Sequence, residues 1–94
     1  MPLINIRFIG PWRLYLGIEN LSVEATTVED ALKQIELTYG PAYHEKLRKR
    51  GITQQRKIGD DSNILLNRTN IRQLTSHVLK AGDTIDIIPR FAGG

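Results

Sequence analysis

The sequence ends in Thr84-Ile85-Asp86-Ile87-Ile88-Pro89-Arg90-Phe91-Ala92-Gly93-Gly94, and this stretch indicates how the rest of the chain is organised. Polar and apolar residues alternate in its first half, which is the pattern of a strand with one buried face. Pro89 has no backbone N–H to donate, so strand pairing is expected to stop there or to continue only along an exposed edge. The sequence therefore predicts a folded domain of residues 1–88 and a flexible tail of residues 89–94.

The two terminal glycines need an explanation other than fold stability. A glycine has no side chain to pack, and it loses more backbone entropy on ordering than any other residue. A tail of six residues could extend by roughly 20 Å, at about 3.3 Å for each residue. This is far enough to enter the active site of another protein, where a narrow channel would admit only glycine beside the terminal carboxylate.

Two strands are predicted at the start of the chain. Isoleucine-rich alternation over residues 3–9 predicts the first strand, which Gly10 and Pro11 end. Alternation returns over residues 13–24, so the two strands are expected to form an antiparallel hairpin. Trp12 is expected to lie over the edge of this hairpin.

The clearest helix follows Thr27, which together with Asp30 resembles a capping box. The apolar residues of this helix form one continuous stripe: Val28, Ala31, Leu32, Ile35 and Tyr39. Gly40 and Pro41 are expected to end the helix. A second, shorter helix is predicted from Pro41 to Arg50.

The second half of the chain has fewer regular patterns. Residues 51–63 are predicted to form a polar connector, residues 64–66 a short buried strand, and residues 67–70 a turn. Three apolar side chains are expected to fasten the irregular crossover that follows to the core: Ile71, Leu74 and Leu79. Residues 81–83 then turn the chain into the final strand.

Length and composition limit the class of protein. Ninety-four residues are enough for one hydrophobic core, and 40% hydrophobic with 24% charged residues is typical of a globular domain. The absence of cysteine excludes disulfides, thiolate metal sites and a cysteine nucleophile. No apolar run approaches the roughly 20 residues of a membrane helix and no signal peptide is recognisable, so we expect a cytoplasmic protein that does not bind membranes.

The order of elements and the end of the chain resemble the sulfur-carrier branch of the ubiquitin-like proteins, above all the small subunit of molybdopterin synthase. The resemblance rests on the opening strands, the long helix, the Leu-Lys-Ala-Gly-Asp turn at residues 79–83, and the tail after Ile88. It implies an α+β fold of the β-grasp type, with a mixed sheet of about four to five strands packed on one main helix and the last strand beside the first. Another two-layer α+β sandwich is the alternative for this order of elements.

The resemblance also implies a chemistry for the C-terminus. A carboxylate is a poor electrophile, so it must be activated from outside: an E1-like adenylating enzyme would use ATP to convert the Gly94 carboxylate to an acyl-adenylate. A sulfur donor protein would then replace AMP and leave a thiocarboxylate, which the large subunit of molybdopterin synthase would receive. The chain itself would hold no cofactor or metal and would be a substrate of enzymes, with Gly93 and Gly94 threaded between the partner's walls.

The residues before the two glycines are predicted to contact the partner: Pro89, Arg90, Phe91 and Ala92. Arg90 and Phe91 stand where members of the family often have a second proline and a small aliphatic residue, which leaves the identity of the partner open. An aromatic side chain on a tail favours an anchor for the partner over a core residue. The alternative is that Phe91 folds back over Ile88 or the hairpin.

The remaining charged residues support other functions only weakly. Six positive charges form a basic run: Lys46, Arg48, Lys49, Arg50, Arg56 and Lys57. Because no aromatic residues are interleaved with it, this run is interpreted as a solvated face, and nucleic-acid binding is not expected. Docking to an acidic surface of an activating enzyme stays open. His44 and His77 lack the spacing of metal ligands and do not predict a metal site.

Several alternatives to molybdopterin formation stay open on the sequence. The same thiocarboxylate could serve thiamine or cysteine synthesis. The Gly94 carboxyl could instead form an isopeptide bond to a lysine, as in a ubiquitin-like modifier. A plain binding module is a further alternative, and neither the pathway nor the oligomeric state follows from the sequence.

Overall fold

The computed structural model describes residues 1–53 and 56–90 of the chain. Its elements are β1 (Leu3–Phe8), α1 (Pro11–Leu16), β2 (Asn20–Glu24), α2 (Val28–Lys49), β3 (Ser62–Leu66), β4 (Thr69–Asn70), a 3-10 turn (Ile71–Gln73) and β5 (Thr84–Pro89). The strands form a sheet in the order β2-β1-β5-β3-β4. β1 and β5 are parallel, and the other neighbouring strands are antiparallel. The structure confirms the predicted mixed sheet on one main helix, with the last strand beside the first.

The core lies between the sheet and α2. Ile6 of β1 is paired with Ile85 of β5, and Phe8 with Ile87, and all four side chains are buried. The Phe8 ring meets Tyr39 of α2 edge-on, with 5.8 Å between the ring centres. The predicted stripe of α2 packs here, with Val28, Ala31 and Ile35 buried and Leu32 and Tyr39 half-buried. Each large aliphatic side chain buried in this way stabilises the fold by about 1.5–3 kcal/mol, which holds α2 across the sheet.

The opposite face of the sheet carries a bidentate ion pair. Nε of Arg7 donates to the Asp86 carboxylate at 2.6 Å, and a second guanidinium nitrogen donates to it at 2.9 Å. Arg7 lies on β1 directly opposite Asp86 of β5. The pair therefore links the two parallel strands on the face away from the core.

Residues 13–16 form part of a helix and not of the second strand, so this part of the hairpin prediction is wrong. Gly10, at a φ of 59°, and Pro11, the first residue of α1, turn the chain out of β1 and into the helix. Gly17, at a φ of 72°, is the left-handed residue that ends it. Trp12 is thereby placed in the core, fully buried, and not over the edge of a hairpin. β1 and β2 still pair antiparallel, as predicted.

α2 continues through Pro41 to its end, so the prediction that Gly40 and Pro41 terminate it is wrong, and the second predicted helix is its C-terminal half. A proline inside a helix removes one hydrogen bond and clashes with the preceding turn, at a cost of about 3 kcal/mol. The carbonyl that loses its donor belongs to Leu37, a residue that is 72% exposed, so water can replace the missing N–H. Beyond the proline, Tyr43 and Leu47 are buried and hold the second half of α2 on the core.

The connections after α2 are fixed by buried side chains and by turns. Ile58 is fully buried although the sequence indicated only a polar connector there, and its backbone N–H donates to the Glu36 carboxylate at 2.8 Å. Asn67 and Arg68 have φ values of 50° and 73° and form the turn between β3 and β4, whereas Thr69 and Asn70, predicted as part of this turn, form β4. The predicted anchors of the crossover pack on the core: Ile71, Leu74 and Leu79.

A histidine joins the crossover to the start of α2. The carbonyl of His77 accepts the N–H of Val28 at 2.9 Å. The Glu29 carboxylate lies 2.5 Å from Nδ1 of the His77 ring, and the Ile71 carbonyl lies 2.9 Å from Nε2. Both of these oxygens accept hydrogen bonds, so the protonated ring, in which both nitrogens donate, satisfies both contacts. The hydrogen bond to Glu29, and then that to Ile71, raise the pKa of His77 above its ordinary value.

Replacing Pro41 with alanine is expected to stabilise the fold, because the helix regains a backbone hydrogen bond and loses a steric clash. The free energy of unfolding, measured by urea denaturation at neutral pH, should rise by about 1–3 kcal/mol. Lys46→Ala, at an exposed position of the same helix, is the control and should change it by less than about 0.5 kcal/mol. A decrease in stability for Pro41→Ala would contradict a helix that is continuous at this position.

His77→Gln is expected to destabilise the fold more at about pH 6 than at about pH 9. The pKa of His77 is raised above 6.5 in the folded state, so its contribution is complete below 6.5 and is lost as the pH rises through the folded value. Thermal unfolding at the two pH values measures the difference. Glu29→Gln removes the carboxylate partner and should abolish most of the pH dependence, whereas equal destabilisation by His77→Gln at both pH values would argue against a charged ring.

Candidate functional site

The candidate site is the end of β5, where the chain leaves the sheet. The structure describes two residues there, Pro89 and Arg90, which together are called the tail root. The sequence assigns partner contacts to Phe91 and Ala92 and the reactive end to Gly93 and Gly94, and these four lie outside the described residues. The structure therefore shows how the tail root is held.

Pro89 is the last residue of β5, one residue beyond the predicted end of the folded domain at residue 88. It lies opposite Ser62 of β3 and is buried. Pairing with β3 continues at the next residue, because the Arg90 N–H donates to the Asp61 carbonyl at 2.8 Å. On the other side, the Ile9 N–H donates to the Ile87 carbonyl at 3.0 Å, and the parallel pairing ends there because Pro89, the next donor position, has no N–H. Pro89 offers little surface to a partner, whereas Arg90 is exposed.

Asp61 holds the tail root in place. Its carbonyl accepts the Arg90 N–H, and its buried carboxylate accepts the Tyr43 hydroxyl at 2.5 Å and Nε of Arg56 at 2.9 Å. The hydrogen bonds from Arg56 are the main reason that the pKa of Asp61 lies below its ordinary value despite burial. Burial and the neighbouring Asp61 raise the pKa of Tyr43, so the phenol stays a neutral donor. The arrangement is a charged, fully hydrogen-bonded aspartate beneath the end of the sheet.

A second set of hydrogen bonds supports the same end of the sheet. The Trp12 indole donates to the Ser62 hydroxyl at 2.9 Å, and this hydroxyl donates to the Ile58 carbonyl at 2.6 Å. The Trp12 ring meets the Tyr43 ring edge-on, with 4.8 Å between the ring centres. Within the described residues, no buried side-chain nitrogen or oxygen lacks a hydrogen-bond partner. Side chains from α1, α2 and the connector before β3 thus meet at the tail root.

Sequence patterns alone do not identify this cluster. Tyr43, Asp61 and Trp12 are far apart in the chain, and each has an ordinary interpretation: a helix contact, a charge beside the basic run, and an edge residue. One signal points toward it, since Asp61 and Ser62 lie two to three residues before the apolar strand residues 64–66. Two polar residues at the start of a buried strand need hydrogen-bond partners, although the sequence does not say which.

The basic run is partly neutralised within the fold. Three of its cations have partners: Arg48 with Glu45, Arg56 with Asp61, and Arg50 above the Tyr15 ring. An arginine paired with a carboxylate or stacked on an aromatic ring is less available to an external anion. This agrees with the interpretation of the run as a solvated face.

The described residues show neither a metal site nor a membrane span. No group of three or more histidine, aspartate or glutamate residues in them could hold a metal ion. Nε2 of His44 lies 2.9 Å from the Arg56 carbonyl, away from the contacts of His77. None of the helices in this part of the chain combines the length and the hydropathy that a membrane span requires.

A model of the ThiS family matches residues 6–94 of the chain. The search of curated proteins found no match. Solved structures with the same fold cover nearly the whole chain, and they confirm the predicted ubiquitin-like β-grasp fold.

Three of these structures are similar over both chains. The solution structure of small archaeal modifier protein 1 from Methanosarcina acetivorans is 26% identical, with a TM-score of 0.72 and coverage of 100% of this chain and 98% of that one. A chain in the complex of subunits 1 and 2 of molybdopterin-converting factor from Helicobacter pylori is 25% identical, with a TM-score of 0.58 and coverage of 98% and 99%. A chain in the BexX/CysO complex from Amycolatopsis orientalis is 20% identical, with a TM-score of 0.62 and coverage of 97% and 99%.

Asp61→Asn is expected to lower the free energy of unfolding at neutral pH, because Arg56 loses its ion pair and Tyr43 a charged acceptor. Since Arg56 is half exposed, we expect about 1–2 kcal/mol, less than for a fully buried pair. The pKa of Asp61 is depressed in the fold, so its contribution is present above the ordinary value of 3.8 and is lost as the pH falls through the folded value. Wild type and variant should therefore converge in acid, as measured by chemical denaturation at several pH values.

The matched control is Asp60→Asn, which removes the same charge from the exposed neighbouring residue. It should change the free energy of unfolding by less than about 0.5 kcal/mol. If the two variants are equally stable at neutral pH, Asp61 does not hold the end of the sheet.

Proposed function

The chain belongs to the ThiS family of ubiquitin-like sulfur carriers, and from this membership we propose that it carries sulfur as a thiocarboxylate on Gly94. The observation that supports this proposal best is the fixed tail root. Asp61 holds the Arg90 N–H at the end of β5, and four residues of sequence follow, the last two of them glycines. The folded domain then serves to bring the last carboxylate to a partner, and the chemical change takes place on that carboxylate.

The length of this last segment fits such a role. Four extended residues span roughly 13 Å, enough to cross the wall of an active site. A partner that binds the folded domain would receive the segment from a known direction, because β5 is paired on both sides before it ends. Fixing the starting point in this way reduces the entropy that is lost when the carboxylate meets the next reactant.

In the proposed reaction the Gly94 carboxylate attacks the α-phosphate of ATP in an E1-like enzyme, and pyrophosphate leaves. A persulfide of a donor protein then attacks the carbonyl carbon of the acyl-adenylate through its outer sulfur, and AMP leaves. A second thiol of the donor or of the enzyme attacks the donor-side sulfur of the resulting acyl disulfide, which forms a disulfide and releases the thiocarboxylate. The enzyme supplies the catalytic groups, and ATP is its substrate. The carrier contributes the carboxylate, the narrow Gly93 and Gly94 backbone, and a fixed tail root, and it holds no cofactor of its own.

We infer that the sulfur is used in molybdopterin formation. The similarity to a chain in the complex of the two subunits of molybdopterin-converting factor, at 25% identity over 98% of this chain, supports this pathway. In this proposal a larger catalytic subunit receives the tail, and Arg90, Phe91 and Ala92 contact it. Thiamine and cysteine synthesis would use the same activation step and a different acceptor.

A second candidate function is protein modification. The similarity to small archaeal modifier protein 1, at 26% identity over the whole chain, favours it. The Gly94 carboxyl would again be adenylated, but it would end in an isopeptide bond to a lysine of another protein. The two candidates share the activated C-terminus and differ in what attacks it.

Incubation of the chain with ATP, its cognate activating enzyme and a sulfur donor is expected to convert Gly94 to a thiocarboxylate. Intact-mass spectrometry should show an increase equal to the mass difference between sulfur and oxygen, and fragmentation should locate it on the C-terminal peptide. A chain without Gly94 is the control: it should stay unmodified and unfold at the same temperature, because other residues form the core.

An unchanged mass for the wild-type chain with an active enzyme would contradict the carrier function. Gly-Gly remnants on lysines of other proteins, found in cells that express the chain, would favour the modifier function. A large loss of stability on removal of Gly94 would indicate a structural role for the C-terminus instead.

A further inference from the structure

A groove of ≈ 640 Å³ lies between α2 and the segment that runs from residue 57 into β3, and the exposed Arg90 of the tail root lines it. Part of its lining is apolar: Leu32, Ile64 and Ile71. The volume lies within the range of small-molecule and peptide sites, at about 300–1,000 Å³. The groove is therefore large enough for a few side chains of a partner, next to the point where the chain leaves the sheet.

The cations and the acids that line the groove differ in how many hydrogen bonds or ion pairs they form within the chain. Four exposed cations line it: Lys33, Lys57, Arg72 and Arg90. Within residues 1–53 and 56–90, none of the four lies at ion-pair distance from a carboxylate, although the charge of Arg90 contributes to the lowered pKa of Asp61. Of the three acids in the lining, Glu29 is bonded to His77, and Glu36 accepts backbone N–H groups of residues 58 and 59. Asp60 is the third acid, and no such hydrogen bond is made to it among the described residues. The four cations therefore outnumber the acids that remain available, and the groove favours an anionic occupant.

The lining favours a protein segment over a nucleic acid. It contains no aromatic side chain among the described residues, so unpaired bases would find no ring on which to stack. A phosphate backbone would also leave the apolar side chains of the lining, Leu32, Ile64 and Ile71, without a contact. A segment with a few carboxylates beside apolar side chains matches both the free cations and the apolar lining.

We propose that this groove binds an acidic and apolar segment of the enzyme that adenylates Gly94. This inference rests on the proposed function. Arg90 is the structural link, because its side chain lines the groove while its N–H is fixed on Asp61 at the tail root. A segment seated in the groove would therefore lie beside the start of the tail, and it would align the tail with the active site of the same enzyme.

The test reverses two charges of the groove that lie away from Asp61. Lys33→Glu combined with Arg72→Glu changes one cation on α2 and one in the 3-10 turn. With the cognate activating enzyme, the KM for this variant in ATP–pyrophosphate exchange should rise roughly tenfold, with kcat unchanged, because rim charges act on association. The KM of the wild type should rise with salt, and that of the variant should rise less.

The matched control is Lys46→Glu combined with Lys49→Glu. It makes the same change in net charge at exposed positions near the other end of α2, outside the groove. Its KM should change less than twofold, since a general attraction between charges is spread over the surface. Thermal unfolding of both variants shows whether either one has lost its fold, and Lys33→Gln with Arg72→Gln offers a milder replacement if the first does not fold.

Each outcome decides the inference. Equal KM values for the groove variant and the wild type, with normal adenylation, would overturn it and leave the proposed function intact. Equal increases in both double variants would show general electrostatics and would also overturn it. Inhibition of the wild type, but not of the groove variant, by single-stranded RNA would assign the groove to nucleic acid. Absence of adenylation of the wild type would overturn the proposed function and this inference together.

Discussion

The insertion of β5 between β1 and β3 is the constraint on which the rest of the structure depends. β5 pairs in parallel with β1 and antiparallel with β3, so the end of the chain is held by two neighbours before it leaves the sheet. Parallel pairing sets the ends of β1 and β5 at the same edge. The helix that follows β1 therefore lies beside the tail root, and its Trp12 reaches Ser62, the residue opposite Pro89.

Asp61 turns this edge of the sheet into a fixed point. A buried carboxylate without partners would be costly, but here Tyr43 and Arg56 both donate to it. Because the Arg56 side chain is 47% exposed, only one of the two ions is fully removed from water. The same residue accepts the Arg90 N–H through its backbone. The stability of the strand end and the position of the tail root thus depend on the side chain and the backbone carbonyl of Asp61.

This arrangement separates the folding of the chain from its proposed chemistry. The core is formed by isoleucines and aromatic residues between the sheet and α2, and the proposed reactive atom belongs to the last residue of the sequence. Many charges are used internally, by Arg7 with Asp86, Arg48 with Glu45 and Arg56 with Asp61. The cations that line the groove at Arg90 make no such ion pair among the described residues, and Lys57 is the one member of the basic run among them. This is why the groove is a better candidate for a partner than the rest of the basic run.

The sequence by itself determined β1, β3, β5, the terminal Gly-Gly and the cap of α2, in which the Thr27 hydroxyl accepts the Asp30 N–H at 3.1 Å. Alternation, capping and composition are properties of neighbouring residues. The resemblance supplied the pairing of the last strand with the first. Only the tertiary structure decided that α2 passes through Pro41, that Trp12 lies in the core, and that Asp61 holds the tail root. Each of these depends on contacts between residues far apart in the chain, such as Tyr43 with Asp61, and a local pattern carries no information about which distant partners will meet.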